Sequence, residues 1–300
     1  MNEEIKNLAP IILFVYNRPW HTQQTLHFLA KNHLAAESEI FIFADGAKNN
    51  KDQKSVSEVR EIIKNIQGFK SSTLFLKDKN KGLAESVIDG VNEIFKKFNS
   101  VIVIEDDLES TPDFLTFINL ALKKYENEKK VFSISGYSYP LNVLENLNES
   151  AYFSHRGSSW SWATWRDRWE TVNWEVDKKD DFLKSKEMQI GFNRNGDDFS
   201  VMLKKQLNGE IDSWAIRFAW AAHLQNKFHL LASSSKINNI GQDNSGTHSK
   251  KTTKYLVNLK EEKEFVFPVE LEVKPEISIA FKQFFKRSFL RRVKSLLTIN

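Results

Sequence analysis

Along its first 135 residues the chain alternates short, almost purely apolar runs with longer segments in which apolar positions recur every three or four residues. The runs Pro10–Tyr16 (PIILFVY), Glu39–Ala44 (EIFIFA), Thr73–Leu76, Val101–Ile104 (VIVI) and Val131–Ile134 have strand length and lack the polar alternation of a half-exposed strand. They predict strands of a parallel sheet covered on both faces. Helices are predicted over Pro19–Asn32, Lys54–Ile66, Leu83–Phe98 and Pro112–Tyr125, the third placing Val87, Val91, Ile94 and Phe95 on one face. Pro19 and Pro112 stand where a first helical turn accepts proline, and Thr111 can cap the last helix. The order β-α-β-α-β-α-β-α predicts a doubly wound, mostly parallel, Rossmann-like α/β fold. In such folds ligands sit beyond the carboxyl ends of the strands, near a switch in strand order.

Beyond about Gly136 the alternation stops. Residues 137–250 are rich in Trp, Ser and Asn, and seven of the eight tryptophans fall between Trp160 and Trp220. The pattern divides the chain into an α/β half (1–136), a second half (137–260) expected to be loops and helices rather than more sheet, and a tail (261–300). From Ile277 to Leu297 the tail holds no acidic residue: Phe281, Phe284, Phe285, Phe289, Val293, Leu296 and Leu297 form one helical stripe, with Lys282, Lys286, Arg287, Arg291 and Lys294 elsewhere. Such a basic amphipathic helix suits an anionic membrane surface or, equally, the protein's own core.

Composition removes several function classes. Lys and Arg (43) exceed Asp and Glu (39) by only four, far from the dense basic surface of a phosphate-backbone binder, so nucleic acid is not an expected partner. With no cysteine, thiolate metal ligands, a catalytic thiol and a disulfide framework are excluded. The N-terminus MNEEIKNLAP lacks the pattern of a signal peptide, and no apolar run approaches the ~20 residues of a spanning helix. The expectation is a cytoplasmic protein, either soluble or peripheral on the inner face of the cytoplasmic membrane.

The sharpest chemical feature is Glu105-Asp106-Asp107, set directly after the buried run VIVI. Three adjacent carboxylates at a strand's carboxyl end repel one another unless a cation or hydrogen-bond donors gather there. A hard divalent ion, Mn²⁺ or Mg²⁺, suits one or two of them together with diphosphate oxygens and water. The competing reading is an acidic cap on the next helix. Lys79-Asn80-Lys81-Gly82-Leu83-Ala84 adds a loop entering a helix N-terminus, a geometry favourable to an anion. In the second half, Gly157-Ser158-Ser159-Trp160-Ser161-Trp162 joins aromatic faces to hydroxyls, a combination suited to sugars. For Trp160 and Trp162 core filling is an equal alternative, and it is the expected role of Trp165, Trp169 and Trp174.

VIVIEDDLESTPDF resembles the metal-binding segment of glycosyltransferases similar to N-acetylglucosaminyltransferase I, in which an E-D-D triplet replaces the more usual D-x-D. Tyr16-Asn17-Arg18-Pro19 and Ala44-Asp45-Gly46 resemble, in the right order, that family's Asn-Arg or Asp-Arg pair and its base-facing Asp. The resemblance implies the A-type glycosyltransferase fold, with residues 1–136 binding the nucleotide-sugar and 137–260 binding the acceptor. It implies contacts to the nucleotide-sugar from Tyr16, Arg18, Asp45, Lys81, Glu105 and Asp106, with Arg18 and Asp45 at the uridine. Asp107 would hold the metal, and His248, in the loop Ile240–His248, matches a histidine near the end of the family's catalytic domain and would be a second ligand to the metal or touch the diphosphate, a solvated loop histidine being the equal alternative. An Asp beside a Trp is that family's general base, which Asp212 in Glu210-Ile211-Asp212-Ser213-Trp214 matches, although Ser213 stands where the family carries a second acid. Asp197 and Asp198 are reserve candidates, and a helix cap is the structural alternative for Asp212. Trp160, Trp162 and Trp214 would face the acceptor.

The implied activity is metal-dependent, inverting hexosyl or N-acetylhexosaminyl transfer from a UDP-sugar to a hydroxyl of a glycan or lipid-linked glycan, in bacterial surface-glycan assembly. A sugar-phosphate nucleotidyltransferase is the second reading, although Tyr16-Asn17-Arg18-Pro19 is not the Gly-rich loop that class carries. A catalytically silent glycan-binding protein on the same fold is the third.

Overall fold

The structure, a computed structural model, describes residues 7–244 and 252–286. The predicted apolar runs become strands β1 (Ile11–Val15), β2 (Glu39–Ala44), β3 (Ser71–Leu76) and β4 (Ser100–Glu105), interleaved with helices α1 (Pro19–Ala30), α2 (Gln53–Lys64) and α3 (Leu83–Phe95). A short β5 (Leu108–Ser110) follows, then α4 (Phe114–Lys124) and β6 (Val131–Ser135). Helix α4 begins two residues later than Pro112 because Phe114 N donates to Thr111 O (3.2 Å) in a turn. The second half supplies β7 (Ala151–Ser154), β8 (Trp162–Trp165), α5 (Arg166–Trp169), α6 (Lys179–Lys184), α7 (Lys186–Phe192), α8 (Phe199–Leu207), α9 (Trp214–Leu224), β9 (Phe228–Ala232) and β10 (Ile237–Asn239), and the tail supplies α10 (Pro275–Phe284).

Eight strands form one sheet in the order β3-β2-β1-β4-β8-β6-β9-β7, with β8 and β7 antiparallel to the rest. The expectation that residues 137–260 add no sheet is therefore corrected. Trp162 pairs with Val103 and with Ser135, so β8 is wedged between two strands of the first half. The local sequence hides this: WSWATW alternates small and very large residues and reads as a loop until both of its neighbours are in place.

Alternate residues of the strands face opposite layers. Ile11, Leu13, Ile40, Ile42, Ile102 and Ile104 pack with α1, α2 and α4 through Leu26, Val59, Phe117 and Ile118. Ile12, Phe14, Phe43, Val101 and Val103 pack with α3 and α9 through Val87, Val91, Trp214 and Phe218. Chain direction decides where the site lies. From β1 the strand order runs outward through β2 to β3, whereas β4 returns to the other side of β1. The loops after β1 and β4 thus diverge across a switch point, the crevice where doubly wound sheets bind ligands.

The tail is part of this core. Lys236 Nζ, fully buried, pairs with Asp113 (2.8 Å) and Glu262 (2.7 Å) and donates to Lys260 O (2.7 Å), while Phe265 and Phe267 pack on Phe117. In α10, Ile277 and Phe281 are fully buried beside Tyr152 and Leu231, and Phe285 stacks over the Arg156 guanidinium at 3.4 Å. The described part of the proposed membrane helix thus spends its apolar stripe on the protein itself, because Leu141, Leu144 and Tyr152 leave an apolar face for it to cover. Residues 287–297 of that stretch lie outside the described residues. Among the described residues no helix is long and apolar enough to cross a membrane.

Candidate active site

Strand β4 delivers Glu105, and the turn into β5 brings Asp106 and Asp107 back towards the loop after β1. Thr25 Oγ1, on α1, accepts from Leu108 N (3.0 Å) and pins that turn. Tyr16 N donates to Asp106 Oδ2 (3.4 Å), and Arg18 Nη1 lies 2.7 Å from Asp107 Oδ2 and 4.0 Å from Asp106 Oδ1. Asn239 Nδ2 donates to Asp107 Oδ1 (3.3 Å), and Ile240 N donates to Asp107 O (2.9 Å), so the segment after β10 lies across the turn. The crowding has an electrostatic signature. Burial, then Asp107, pushes Asp106 up to about 7 against the opposing pull of Arg18, and burial with its two neighbours raises Glu105 as well.

His21, absent from the sequence reading, and Asp243, in the loop 240–248 that it singled out, join this cluster. His21 is buried on α1, one turn past Arg18, with Nε2 3.2 Å from Asp243 Oδ2, and burial lowers its basicity. Asp243 also lies 3.8 Å from Arg18 Nη2. The i, i+3 spacing of Arg18 and His21 was the available signal. His248, the second metal ligand expected from sequence, lies outside the described residues.

Across the crevice, Asp45 ends β2 and accepts backbone N–H bonds from Gly46 (3.1 Å), Lys81 (3.0 Å) and Gly82 (3.1 Å). Gly82, at φ +81°, lets the chain enter α3 in a backbone conformation that L side chains rarely adopt. Lys81 contributes its backbone here and turns its ammonium outward to Glu85 (2.8 Å) and Asp89 (2.7 Å). Asp52 is a further residue that sequence reasoning missed. It accepts from Tyr16 Oη (2.9 Å), Asn17 Nδ2 (3.0 Å) and Asn49 Nδ2 (2.8 Å), while Tyr16 Oη accepts from Lys48 N (2.9 Å). Its place just before α2 suggests only a helix cap, yet its carboxylate makes no cap bond and ties the loop after β2 to the loop after β1 instead.

On the other side of β4, a cavity of about 140 Å³ opens among Ser158, Ser159, Arg156, Met202, Trp162 and Trp214. Trp162 and Trp214 stack on each other at 4.7 Å and are 1% and 5% exposed, so neighbouring rings largely cover both faces. They support the cavity wall rather than present open stacking platforms. Trp160 packs edge-on to Tyr137 (4.6 Å) and Tyr255 (5.7 Å). Asp212 lies just before α9, exposed and paired with Arg217 (2.7 Å). It is not that helix's cap: Ser213 Oγ accepts from Ile216 N (3.3 Å) in that role. No bond links Asp212 to the acidic triplet, and it is not among the residues that line the cavity, although Trp214 and Ala215, two and three positions on, are. Asp198 is held in a two-point pair by Arg156 (2.9 and 2.6 Å).

A family model, that of the GNT-I family, matches residues 2–194, more than half of the chain and all of the geometry just described around Asp45 and Asp52. The chain belongs to the GNT-I family. It has the mixed α/β fold expected from its sequence. Asp212 and the segment from Asn239 to Asp243 lie beyond the matched stretch. No curated protein matches the sequence. Solved structures that resemble it include S. aureus TarS 1-349 (12% identity, 77% of this chain and 60% of that one, TM-score 0.44). The mannosyltransferase PcManGT from Pyrobaculum calidifontis in complex with GDP-Man and Mn²⁺ is another (13% identity, 73% and 68%, TM-score 0.41). The chain thus spans 60% of the TarS fragment's length.

Among the described residues no three His, Asp or Glu side chains converge as a ready metal cage. The donors nevertheless fit a divalent cation of the kind that takes one or two carboxylates and completes its shell with diphosphate oxygens and water. Asp106 and Asp107 approach the same guanidinium nitrogen, so two carboxylates already lie within reach of one cation.

Proposed function

We propose that this GNT-I family member transfers a sugar from a UDP-sugar to an acceptor hydroxyl by a metal-dependent single displacement with inversion. The observation that carries the reading is the convergence of Asp106, Asp107 and Arg18 at the β1/β4 switch point. Asp107, supported by Asp106, would hold Mn²⁺ or Mg²⁺, whose charge would offset that of the departing diphosphate. Tyr16, Asp52 and the Asp45-bound loop 79–82 would frame the base and ribose. Arg18, paired with the carboxylates, would serve the diphosphate rather than the uridine. Glu105 and Asp106 would close the floor of the donor site.

The acceptor would occupy the cavity beside β8, with its hydroxyl towards the triplet. Asp212 would accept the hydroxyl proton, Arg217 holding its carboxylate oriented. A cavity of about 140 Å³ has room for about one sugar ring, so the acceptor would be the end of a glycan rather than its length. A surface glycan, free or lipid-linked, fits that description.

Thermal-shift titration with nucleoside diphosphates, with and without Mn²⁺, tests the donor reading: UDP-selective, metal-dependent stabilisation is expected, and indifference to both refutes it. Asp212→Asn tests the base. Transfer to a saturating acceptor should fall ~10²–10⁴-fold with UDP-sugar affinity unchanged. Near-normal turnover would move the role to Asp197 or Asp198.

A further inference from the structure

The cation that Asp107 faces in this structure is Arg18, and the geometry makes Arg18 a competitor of any metal there. Its Nη1 lies 2.7 Å from Asp107 Oδ2, while Oδ1 accepts from Asn239 Nδ2. A hard divalent ion must approach a carboxylate oxygen to about 2.0–2.2 Å, which would press two positive groups against each other in a buried pocket. On its far side the guanidinium has Gly241 packed beside Nη2 and the half-exposed Asp243 carboxylate 3.8 Å away, a longer and more solvated pairing than the 2.7 Å one it would give up at Asp107. A stronger anionic partner would replace what is lost. The diphosphate of the donor is that partner, since the planar fork of arginine matches phosphate oxygens as well as it matches carboxylate.

We propose that Arg18 is a tethered counter-ion that exchanges partners: it neutralises Asp106 and Asp107 before donor binding and passes to the diphosphate when the metal takes Asp107. Metal and nucleotide then bind as a coupled pair, each weak without the other, and the open crevice does not scavenge free cations. The proposal rests on the metal site of the reading above. By linkage, whatever factor UDP adds to Mn²⁺ affinity, Mn²⁺ adds to UDP affinity.

Mn²⁺ binding followed by the electron-paramagnetic-resonance signal of the free ion, first with Mn²⁺ alone and then with UDP, tests this without any turnover. Arg18→Gln removes the competing charge. It should bind Mn²⁺ alone roughly tenfold more tightly than the wild type, and lose about the same factor from the enhancement by UDP. Arg18→Lys keeps the charge without the fork, so Mn²⁺ alone should bind as in the wild type while the UDP enhancement falls; this variant carries the test if Arg18→Gln does not fold. Asp107→Asn should abolish Mn²⁺ binding and so locate the signal. Unchanged or weaker binding of Mn²⁺ alone by folded Arg18→Gln, or full UDP enhancement in Arg18→Lys, overturns the exchange and leaves the metal site standing. Absence of Mn²⁺ binding by the wild type, with and without UDP, overturns both.

Discussion

Gly241→Ala puts the smallest possible perturbation at the centre of the proposed site. A Cβ built on Gly241 would lie 2.0 Å from Asp107 Oδ2, 2.7 Å from Asp107 Cγ and 2.7 Å from Arg18 Nη2, where ordinary contact begins at 3.4 Å. The shortfall at Oδ2 is 3.4 − 2.0 = 1.4 Å. Backbone strain does not enter, since Gly241 is not among the positive-φ glycines. The segment cannot lift off cheaply, because Ile240 N bonds Asp107 O (2.9 Å) and Gly241 N bonds Asn239 Oδ1 (2.9 Å). The Asp107 carboxylate and the Arg18 fork must therefore move by about 1 Å. Overpacking of this kind costs about 1–3 kcal/mol, a few degrees in melting temperature, so the fold survives. Displacing a reacting group by ~1 Å costs about 10²-fold in rate. Release of UDP from UDP-sugar with Mn²⁺, measured beside a melting curve, checks both figures. Turnover within about threefold of the wild type would refute the placement of Asp107 at the reacting centre.

Two further outcomes concern the scaffold. Lys236→Met leaves the buried Asp113 carboxylate, 2% exposed, without its cation, and should cost about 3–5 kcal/mol of stability by denaturant unfolding; a loss below about 1 kcal/mol would show that the tail is not fastened there. His229, bonded to Ser133 Oγ through Nδ1 and pushed down to about 3 chiefly by burial, stays neutral in the folded protein and gains a proton at an ordinary pKa of about 6.5 once unfolded. The unfolded state binds the extra proton, so stability should fall as pH drops from about 6.5 towards 3, at up to ~1.4 kcal/mol per pH unit. His229→Asn should flatten that slope in melting curves between pH 7.5 and 4.5, and an unchanged slope would assign the acid sensitivity elsewhere.

The sequence by itself determined the first half of the sheet, because β1, β2 and β4 are buried almost throughout and each helix on one face, and those requirements repeat within a few residues of chain. Strand β3, at the sheet's edge, is mostly exposed, so its run Thr73–Leu76 lacks the two covered faces expected of it. The sequence also placed Glu105-Asp106-Asp107, Tyr16, Arg18 and Asp45 at strand ends, since a polar cluster that abruptly ends a run such as VIVI can only lie at the sheet's edge. Tertiary structure decided the rest. The insertion of β8 between β4 and β6 depends on partners at Val103 and Ser135, which no local window contains. Asp107 meets Asn239 across 132 residues of chain, and Tyr16 meets Asp52 across 36. Arg18 meets the carboxylates of the acidic turn because the switch in strand order brings the loops after β1 and β4 together. The stripe on α10, which suits a membrane and a core equally as a pattern, is covered by Leu141, Leu144 and Tyr152. Periodicity states that a face must be buried; only the closed chain supplies what buries it.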